Sequence, residues 1–390
     1  MFRVKKRLIP REFTSYLGFR NYKVLSVETS CDDACVALLD RFDPNQPPRV
    51  LANMKSTLDS REAGGVIPTD AHVHIQQSLP PLIAQVLKDN GLDKTNSPEL
   101  VCVTHGPGMA GSLSAGIDVA KGLAIAWGSR FIGVNHLLAH LLTPRLESNG
   151  QKPAYPFLTL LASGGHTMLV LSNDLLDHEI LLNTRDISAG DALDKCARRI
   201  GIRGNMIGKA LEELLAESPE DAKIPVDLNI KLPLLNKPGR SNVTAFSFSA
   251  FITQVSEQMA ANYPQGPADD SIRRALGAKI QDSIFEHIID KVNLCLSVEK
   301  YKVRKVRSLV VSGGVASNMT LRKMLETRLV KQYEVCAPPP ALCTDNALMI
   351  GWAGIELFEN YNASTELSIR PIRKWNVDDL SPSDFQQNHH

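Results

Sequence analysis

The sequence predicts an α/β protein of two related lobes facing one cleft. Two apolar strands joined by a short polar turn occur near residues 24–39 and again near 157–171. Each pair runs on into alternating strands and helices, as in a layered α/β lobe. Three glycine-rich turns also sit directly after apolar strands, at 106–111, 163–166 and 312–318. A single doubly wound domain is the alternative arrangement.

The elements follow in order. Tyr22 opens a strand that ends in Thr29-Ser30-Cys31-Asp32-Asp33, and Ala34 to Leu39 is its hairpin partner. Arg49 to Lys55 forms a third strand. The run Gly64-Gly65-Val66-Ile67-Pro68 leads to a helix over 70–90, where Ile75, Leu79, Leu82, Ile83 and Val86 recur at helical spacing. Leu100 to Thr104 is a buried strand entering Gly106-Pro107-Gly108-Met109-Ala110-Gly111-Ser112, with a helix over 113–127. Phe131 to Val134 is a short strand, and a helix begins at His136 and runs to Leu146.

After Gly150, Pro153 and Pro156 the plan restarts, with strands over 157–162 and 167–171 around Ser163-Gly164-Gly165-His166. A mainly helical stretch over 189–296 contains a loop rich in Pro, Asn and Gly at 224–243. A strand at 306–311, the turn 312–318, a helix at 319–329, a strand at 334–337 and a helix at 345–361 complete the pattern. The domain plan is a basic segment 1–23, a first lobe 24–150, a second lobe 151–375 with the helical insertion, and a tail 376–390. The helix over 345–361 is a candidate to pack back on the first lobe.

Composition narrows the function classes. The 390 residues are 43% hydrophobic with a formal net charge of +1, so no global positive field attracts nucleic acid. RNA contact would rest on local runs such as Lys195/Arg198/Arg199/Arg203 and Lys302/Arg304/Lys305/Arg307, which also read as solvated faces. No apolar run approaches the roughly 20 residues that span a bilayer, so no membrane partner is expected. The seven cysteines, at 31, 35, 102, 196, 295, 336 and 343, include no CxxC pair and suit reduced thiols in a reducing compartment. The first 23 residues carry Arg3, Lys5, Lys6, Arg7, Arg11, Arg20 and Lys23 against Glu12 alone. Such a segment reads as an organelle transit peptide, or else as a basic arm that touches RNA.

Several side chains could carry chemistry. His136 and His140 stand one turn apart on a helix, separated by about 6 Å of rise, and can grip one metal ion or be bystanders. Leu137 occupies the position where an HExxH protease keeps its glutamate. A metal needs a third ligand, which spacing alone does not select. Asp345, at the start of the last helix, also suits an N-cap. The three glycine-rich turns suit a nucleotide cleft, although none is a P-loop or a GxGxxG fingerprint. Asp191 and Asp194 share a helix face, either as a ribose or substrate-hydroxyl acceptor or as a helix start with solvated charge and an Asp194–Arg198 pair.

These motifs in this order resemble the universal tRNA threonylcarbamoyltransferase family, formerly called glycoprotease-like. The likeness rests on Val27-Glu28-Thr29-Ser30-Cys31-Asp32-Asp33, Gly64 to Pro68, Gly106-Pro107-Gly108, Gly111-Ser112-Leu113 and Lys121-Gly122. It continues through His136 and His140, Ser163 to Thr167, Gly190 to Lys195, Ser312 to Asn318 and Thr344 to Ala347, covering about 24–355. With the basic N-terminus, the chain looks like the mitochondrial branch. The resemblance implies the two-lobed actin-like/sugar-kinase-like (ASKHA) fold with duplicated ribonuclease H-like cores. It implies His136, His140 and Asp345 as metal ligands, holding one divalent ion, zinc or iron, per subunit. It implies that Leu161, Ala162, Ser163, Gly164, Gly165, Asp194, Gly208, Glu212, Gly313, Gly314 and Asn318 surround the substrate and nucleotide.

The implied reaction moves threonylcarbamoyl from threonylcarbamoyl-AMP, supplied by a separate synthase, to N6 of the adenosine just 3′ of the anticodon (position 37) in mitochondrial tRNA. AMP is released, AMP or ATP can occupy the nucleotide site, and the enzyme acts as a homodimer in the mitochondrial matrix. No general base can be named; His166 is a candidate that could equally be structural. Many relatives carry a Tyr-Pro-Gly-Gly-Pro-like turn where this chain has Gly204-Asn205-Met206-Ile207-Gly208, and many have Pro where it has Arg130. The rival readings are a metalloprotease, an ASKHA-type small-molecule kinase and a non-catalytic nucleotide-binding scaffold.

Overall fold

The structure is a computed structural model that describes residues 21–61, 65–235, 243–329 and 333–385. The basic segment lies outside these residues, apart from Asn21 and from Tyr22 and Lys23, which already belong to the first strand.

A three-stranded antiparallel meander opens the first lobe: β1 (Tyr22–Glu28), β2 (Asp33–Arg41) and β3 (Arg49–Thr57). Helices α1 (Pro68–Asp89) and α2 (Ala110–Trp127) then carry the chain to β4 (Leu100–Gly106) and β5 (Arg130–Asn135), which add parallel to β1. The sheet order is β3-β2-β1-β4-β5. Alternation assigns the faces. Leu25, Val27, Val36 and Leu38 pack under α1 and α2, while Val24, Cys35, Ala37 and Leu39 face the middle of the molecule.

The second lobe repeats the plan with β6 (Phe157–Ala162), β7 (Thr167–Asp174), β8 (Asp177–Asn183), β9 (Ser308–Ser312) and β10 (Glu334–Cys336). Its order is β8-β7-β6-β9-β10, with β6–β8 antiparallel and β9 and β10 parallel to β6. Strand β8 was not expected from the sequence. Its charged first half, Asp177-His178-Glu179, hides the apolar Ile180 to Leu182, and it pairs with β7 at the sheet edge.

The helical stretch resolves into α4 (Ala189–Arg199), α5 (Ile207–Glu217), α6 (Ser249–Asn262) and α7 (Asp270–Val298). With α8 (Met319–Arg328) they cover the outer face of the second sheet in one large core.

Two helices join the lobes. All seven residues of α3 (His136–Leu142) are buried, which explains the absence of a polar face in His-Leu-Leu-Ala-His-Leu-Leu. Its leucines share a core with Leu161, Met168 and Val170 of the second sheet. After the short α9 (Pro340–Cys343), which the sequence did not announce, α10 (Ala347–Tyr361) lies on the first sheet, where the Ser26 hydroxyl donates to Ala347 O at 2.7 Å. The chain then runs back along β5, with Thr365 N bonded to Phe131 O at 2.8 Å and Ile372 N to His105 O at 3.0 Å.

Residues 376–385 are a packed segment and not a loose tail, because Val377, Leu380 and Phe385 are buried in the first-lobe core. Two sheets of ribonuclease H-like order, joined through α3 and α10, make the two-lobed actin-like, sugar-kinase-like architecture. All seven cysteines are unpaired and five are buried.

Candidate metal centre and substrate cleft

Helix α3 starts immediately at the end of β5. Asn135 caps it by accepting from Leu138 N at 3.0 Å, so the first helical residue is His136 itself. One turn later His140 presents a second ring, 4.7 Å from the first between centroids and nearly perpendicular to it. The third donor arrives from far along the chain. Asn346, not Asp345, caps α10, accepting from Met349 N at 3.0 Å. Asp345 is therefore free of the capping role that its position allowed. Its Oδ1 lies 3.1 Å from His140 Nε2 and 3.7 Å from His136 Nε2. Lys55 Nζ fixes the backbone behind it, donating to Asp345 O at 3.1 Å.

A fourth residue completes the centre. Glu28 ends β1 and is 1% exposed. Its Oε1 accepts from Ser30 N at 2.6 Å, and its Oε2 accepts from the Thr104 hydroxyl and lies 3.2 Å from His136 Nδ1. Such a carboxylate fixes the Nδ1–H tautomer and points the Nε2 lone pair at whatever sits before Asp345. In the sequence Glu28 is only one residue of the Val27 to Asp33 motif. Its partnership with His136 follows from the registers of β1, β4 and β5, which no local spacing displays.

The electrostatics describe a site for a cation. Burial pushes the His136 imidazolium down, yet Glu28 and Asp345 overcome this and hold its pKa at about 9. Asp345 is buried, which favours its neutral form, but the His136 charge and the His140 hydrogen bond keep it well below the ordinary carboxylate range. Glu28 is likewise lowered: burial raises it most, but the His136 charge, the His136 hydrogen bond and the Ser30 hydrogen bond together outweigh that. The ligand atoms of His136, His140 and Asp345 lie within 4.8 Å of one another, and His140 Nδ1 is buried without a partner among the described residues. Two imidazoles, one carboxylate and an orienting second carboxylate suit a divalent transition metal, and these residues can hold one. His166 is the next imidazole, 6.3 Å from His136, with burial and then the two neighbouring rings lowering its pKa to about 4.

Of the remaining expected residues, Leu161 to Gly165 and Gly313 to Asn318 lie at or after the ends of β6 and β9, while Asp194 is on α4 and Gly208 and Glu212 are on α5. Leu161 and Ala162 finish β6 with side chains fully buried in the core. In the turn that follows, Ser163 Oγ already accepts from Gly165 N at 3.3 Å and His166 N at 3.0 Å. Those two amides are therefore shared with the turn itself. A methyl group added to Gly164 or Gly165 would meet nothing within 4 Å, so the turn is open on that side. Gly190 packs behind it, where a Cβ would stand 2.6 Å from Ser163 O. Gly313, at φ +99°, lets the next turn press against β6, since a Cβ there would collide with Ala162 O. A Cβ on Gly314 would meet Thr344, the neighbour of Asp345, at 3.8 Å.

Further along this wall, Asp194 faces Gly208, and burial raises its pKa to about 6 against the pull of Arg198 and the Gly208 amide. Glu212 accepts from Met319 N at 3.1 Å. Asn318 caps α8 through Oδ1 and donates to Gln281 at 2.8 Å, so its second amide hydrogen has no partner among the described residues. In the basic runs Lys195 pairs with Asp191, and Lys302 with Glu179 and Glu299, as solvated faces do.

A model of the family described as tRNA N6-adenosine threonylcarbamoyltransferase matches residues 49–352. The mitochondrial tRNA N6-adenosine threonylcarbamoyltransferase of Schizosaccharomyces pombe is 36% identical over 381 residues, covering 94% of this chain and 89% of that protein. The tRNA N6-adenosine threonylcarbamoyltransferase of Gluconobacter oxydans is 35% identical over 365 residues, covering 92% and 94%. Among solved structures, T. kodakarensis HypF superposes with a TM-score of 0.50 at 12% identity, over 87% of this chain and 48% of that one, a likeness of fold alone. Matched across most of its length at this identity, the chain belongs to the tRNA N6-adenosine threonylcarbamoyltransferase family.

Proposed function

We propose that the chain transfers the threonylcarbamoyl group of threonylcarbamoyl-AMP to N6 of the adenosine 3′ of the anticodon, position 37, in mitochondrial tRNAs. Within the family, the observation that carries this reading is the convergence of His136, His140 and Asp345, with Glu28 behind them, at one end of the interlobe core. One divalent ion per chain, zinc or iron, held by those three side chains would supply Lewis-acid polarisation of the acyl group or its phosphate.

The chain's own residues do the rest. Glu28 orients His136. The open Ser163-Gly164-Gly165 turn offers backbone to the acyl group at the end of β6, and the Gly164 amide, to which no described residue is bonded, stabilises developing negative charge. Gly313, Gly314 and Asn318 on one side, and Asp194, Gly208 and Glu212 on the other, cradle the nucleotide and its ribose, for either AMP or ATP. The N6 amine forms a bond to the carbamoyl carbon. The bond from that carbon to the phosphate oxygen breaks, AMP leaves with the electron pair, and the N6 proton passes to solvent.

A separate synthase supplies the substrate, the active form is a homodimer, and the site of action is the mitochondrial matrix. The mitochondrial name of the S. pombe relative and the basic N-terminus support the location. No helix of the described residues is long and apolar enough to cross a membrane. A metalloprotease is not favoured, because Leu137 stands where the water-activating glutamate is needed and is buried. The test is incubation with tRNA, threonine, bicarbonate, ATP and the synthase, with modified adenosine read by mass spectrometry. Threonylcarbamoyladenosine should form only when the chain is present, and its absence would overturn the proposal.

A further inference from the structure

The loop between α4 and α5 is where the sequence departs from the family's turn, reading Gly204-Asn205-Met206-Ile207-Gly208. Its Asn205 crosses from the second lobe to the first. Asn205 Nδ2 donates to Leu58 O at 2.8 Å, while Oδ1 accepts from Ser60 N at 2.8 Å and from the Ser60 hydroxyl at 2.9 Å. One side-chain amide thus answers a carbonyl, an amide and a hydroxyl of the loop that leaves β3. Ser60 is 6% exposed, so the contact is shielded and not a surface graze. Three residues after Asn205 comes Gly208, which faces Asp194, and one turn further is Glu212, bonded to Met319 N. The wall carrying the proposed nucleotide residues is therefore tied to the first lobe through this amide.

We infer that Asn205 is a positioning residue, a clasp that holds the α4–α5 wall against the first lobe and keeps water from the acyl-adenylate. The inference rests on the transfer reaction proposed above. Three neutral hydrogen bonds compete with water on nearly equal terms, so the contact can open and reclose while α3 and α10 keep the lobes joined elsewhere. The chemistry gives closure a purpose. In a mixed anhydride of a carbamate and a phosphate, water can attack the carbamoyl carbon instead of N6. The carbon–oxygen bond to phosphate then breaks, AMP departs, and the threonine carbamate that remains loses carbon dioxide to give threonine. A wall that stays shut until tRNA arrives favours the amine over water.

Two measurements on the full chain test this. The first is hydrogen exchange without substrate, comparing wild type with Asn205→Ala. Exchange at Ser60 and across 205–212 should rise at least tenfold, with β6 and α3 unchanged. The second is the ratio of AMP released to adenosine modified in the reconstituted reaction. It should stay near one in wild type and rise severalfold in Asn205→Ala, with KM for tRNA unaltered. Ser60→Ala, which removes one bond of the three, should fall between them. Unchanged exchange in Asn205→Ala would overturn the clasp, as would a wild-type AMP ratio accompanying raised exchange. If wild type itself modifies no tRNA, the transfer reading fails, and the exchange result alone decides whether the clasp exists.

Discussion

Replacing Glu28 by glutamine isolates the group that aims the metal centre. The carboxylate is 1% exposed and every described partner donates to it: Ser30 N at 2.6 Å on Oε1, and the Thr104 hydroxyl and His136 Nδ1, the latter at 3.2 Å, on Oε2. Glutamine keeps the volume but replaces one acceptor with an NH2 group. Facing Ser30, that group sets two donors against each other across 2.6 Å. Facing His136, it donates to Nδ1 and drives the ring proton to Nε2, the nitrogen that points at Asp345. Loss of such an orienting partner typically weakens metal binding about 10–100-fold, or about 1.4–2.7 kcal/mol. The assay is competition for zinc against a chromophoric chelator at fixed pH, with His136→Ala as the zero-binding reference and circular dichroism as the check on folding. A folded Glu28→Gln protein that binds zinc within twofold of wild type would refute the reasoning.

Other substitutions probe the remaining parts. His136→Ala should remove the metal and abolish transfer while leaving the thermal transition in place; transfer retained would remove His136 from the ligand set. Gly190→Ala would put a methyl 2.6 Å from Ser163 O and 2.9 Å from Gly164 Cα, both backbone. The Ser163 turn must then move, costing roughly 1–3 kcal/mol, and kcat/KM should fall at least tenfold with zinc stoichiometry unchanged. Acid should destabilise the fold through His178 and His287, which burial holds at about 4 against 6.5 for the free imidazole. Their folded pKa values are depressed, so the unfolded chain binds more protons between those limits. Their contribution is whole above pH 6.5 and is lost as pH falls toward 4. For His178 the loss from pH 7 to 5 is about 2 kcal/mol. Urea midpoints at the two pH values should show it, and His178→Gln should narrow the difference.

What the sequence displayed and what it hid divide along physical lines. The two hairpins, the glycine-rich turns and the His136/His140 pair depend on neighbours within a few residues, so their patterns are written locally. Strand β8 escaped because an edge strand buries little and carries few apolar residues. The last segment escaped because Val377, Leu380 and Phe385 are too widely spaced to form a period. Asp345 was ambiguous between cap and ligand because Asp and Asn cap equally well, and only the fold shows that the cap is one residue later, at Asn346. Glu28 and Asn205 take their roles from sheet register and from the meeting of the lobes, and neither leaves a local trace.

The most direct measurement is of modified adenosine formed by metal-stripped protein, before and after one equivalent of zinc or iron is restored, with His140→Ala alongside. Wild type should be inactive when stripped and recover on addition of metal, while His140→Ala stays inactive under both conditions. Wild-type rates from stripped protein, or from His140→Ala, would contradict a centre built on His136, His140 and Asp345.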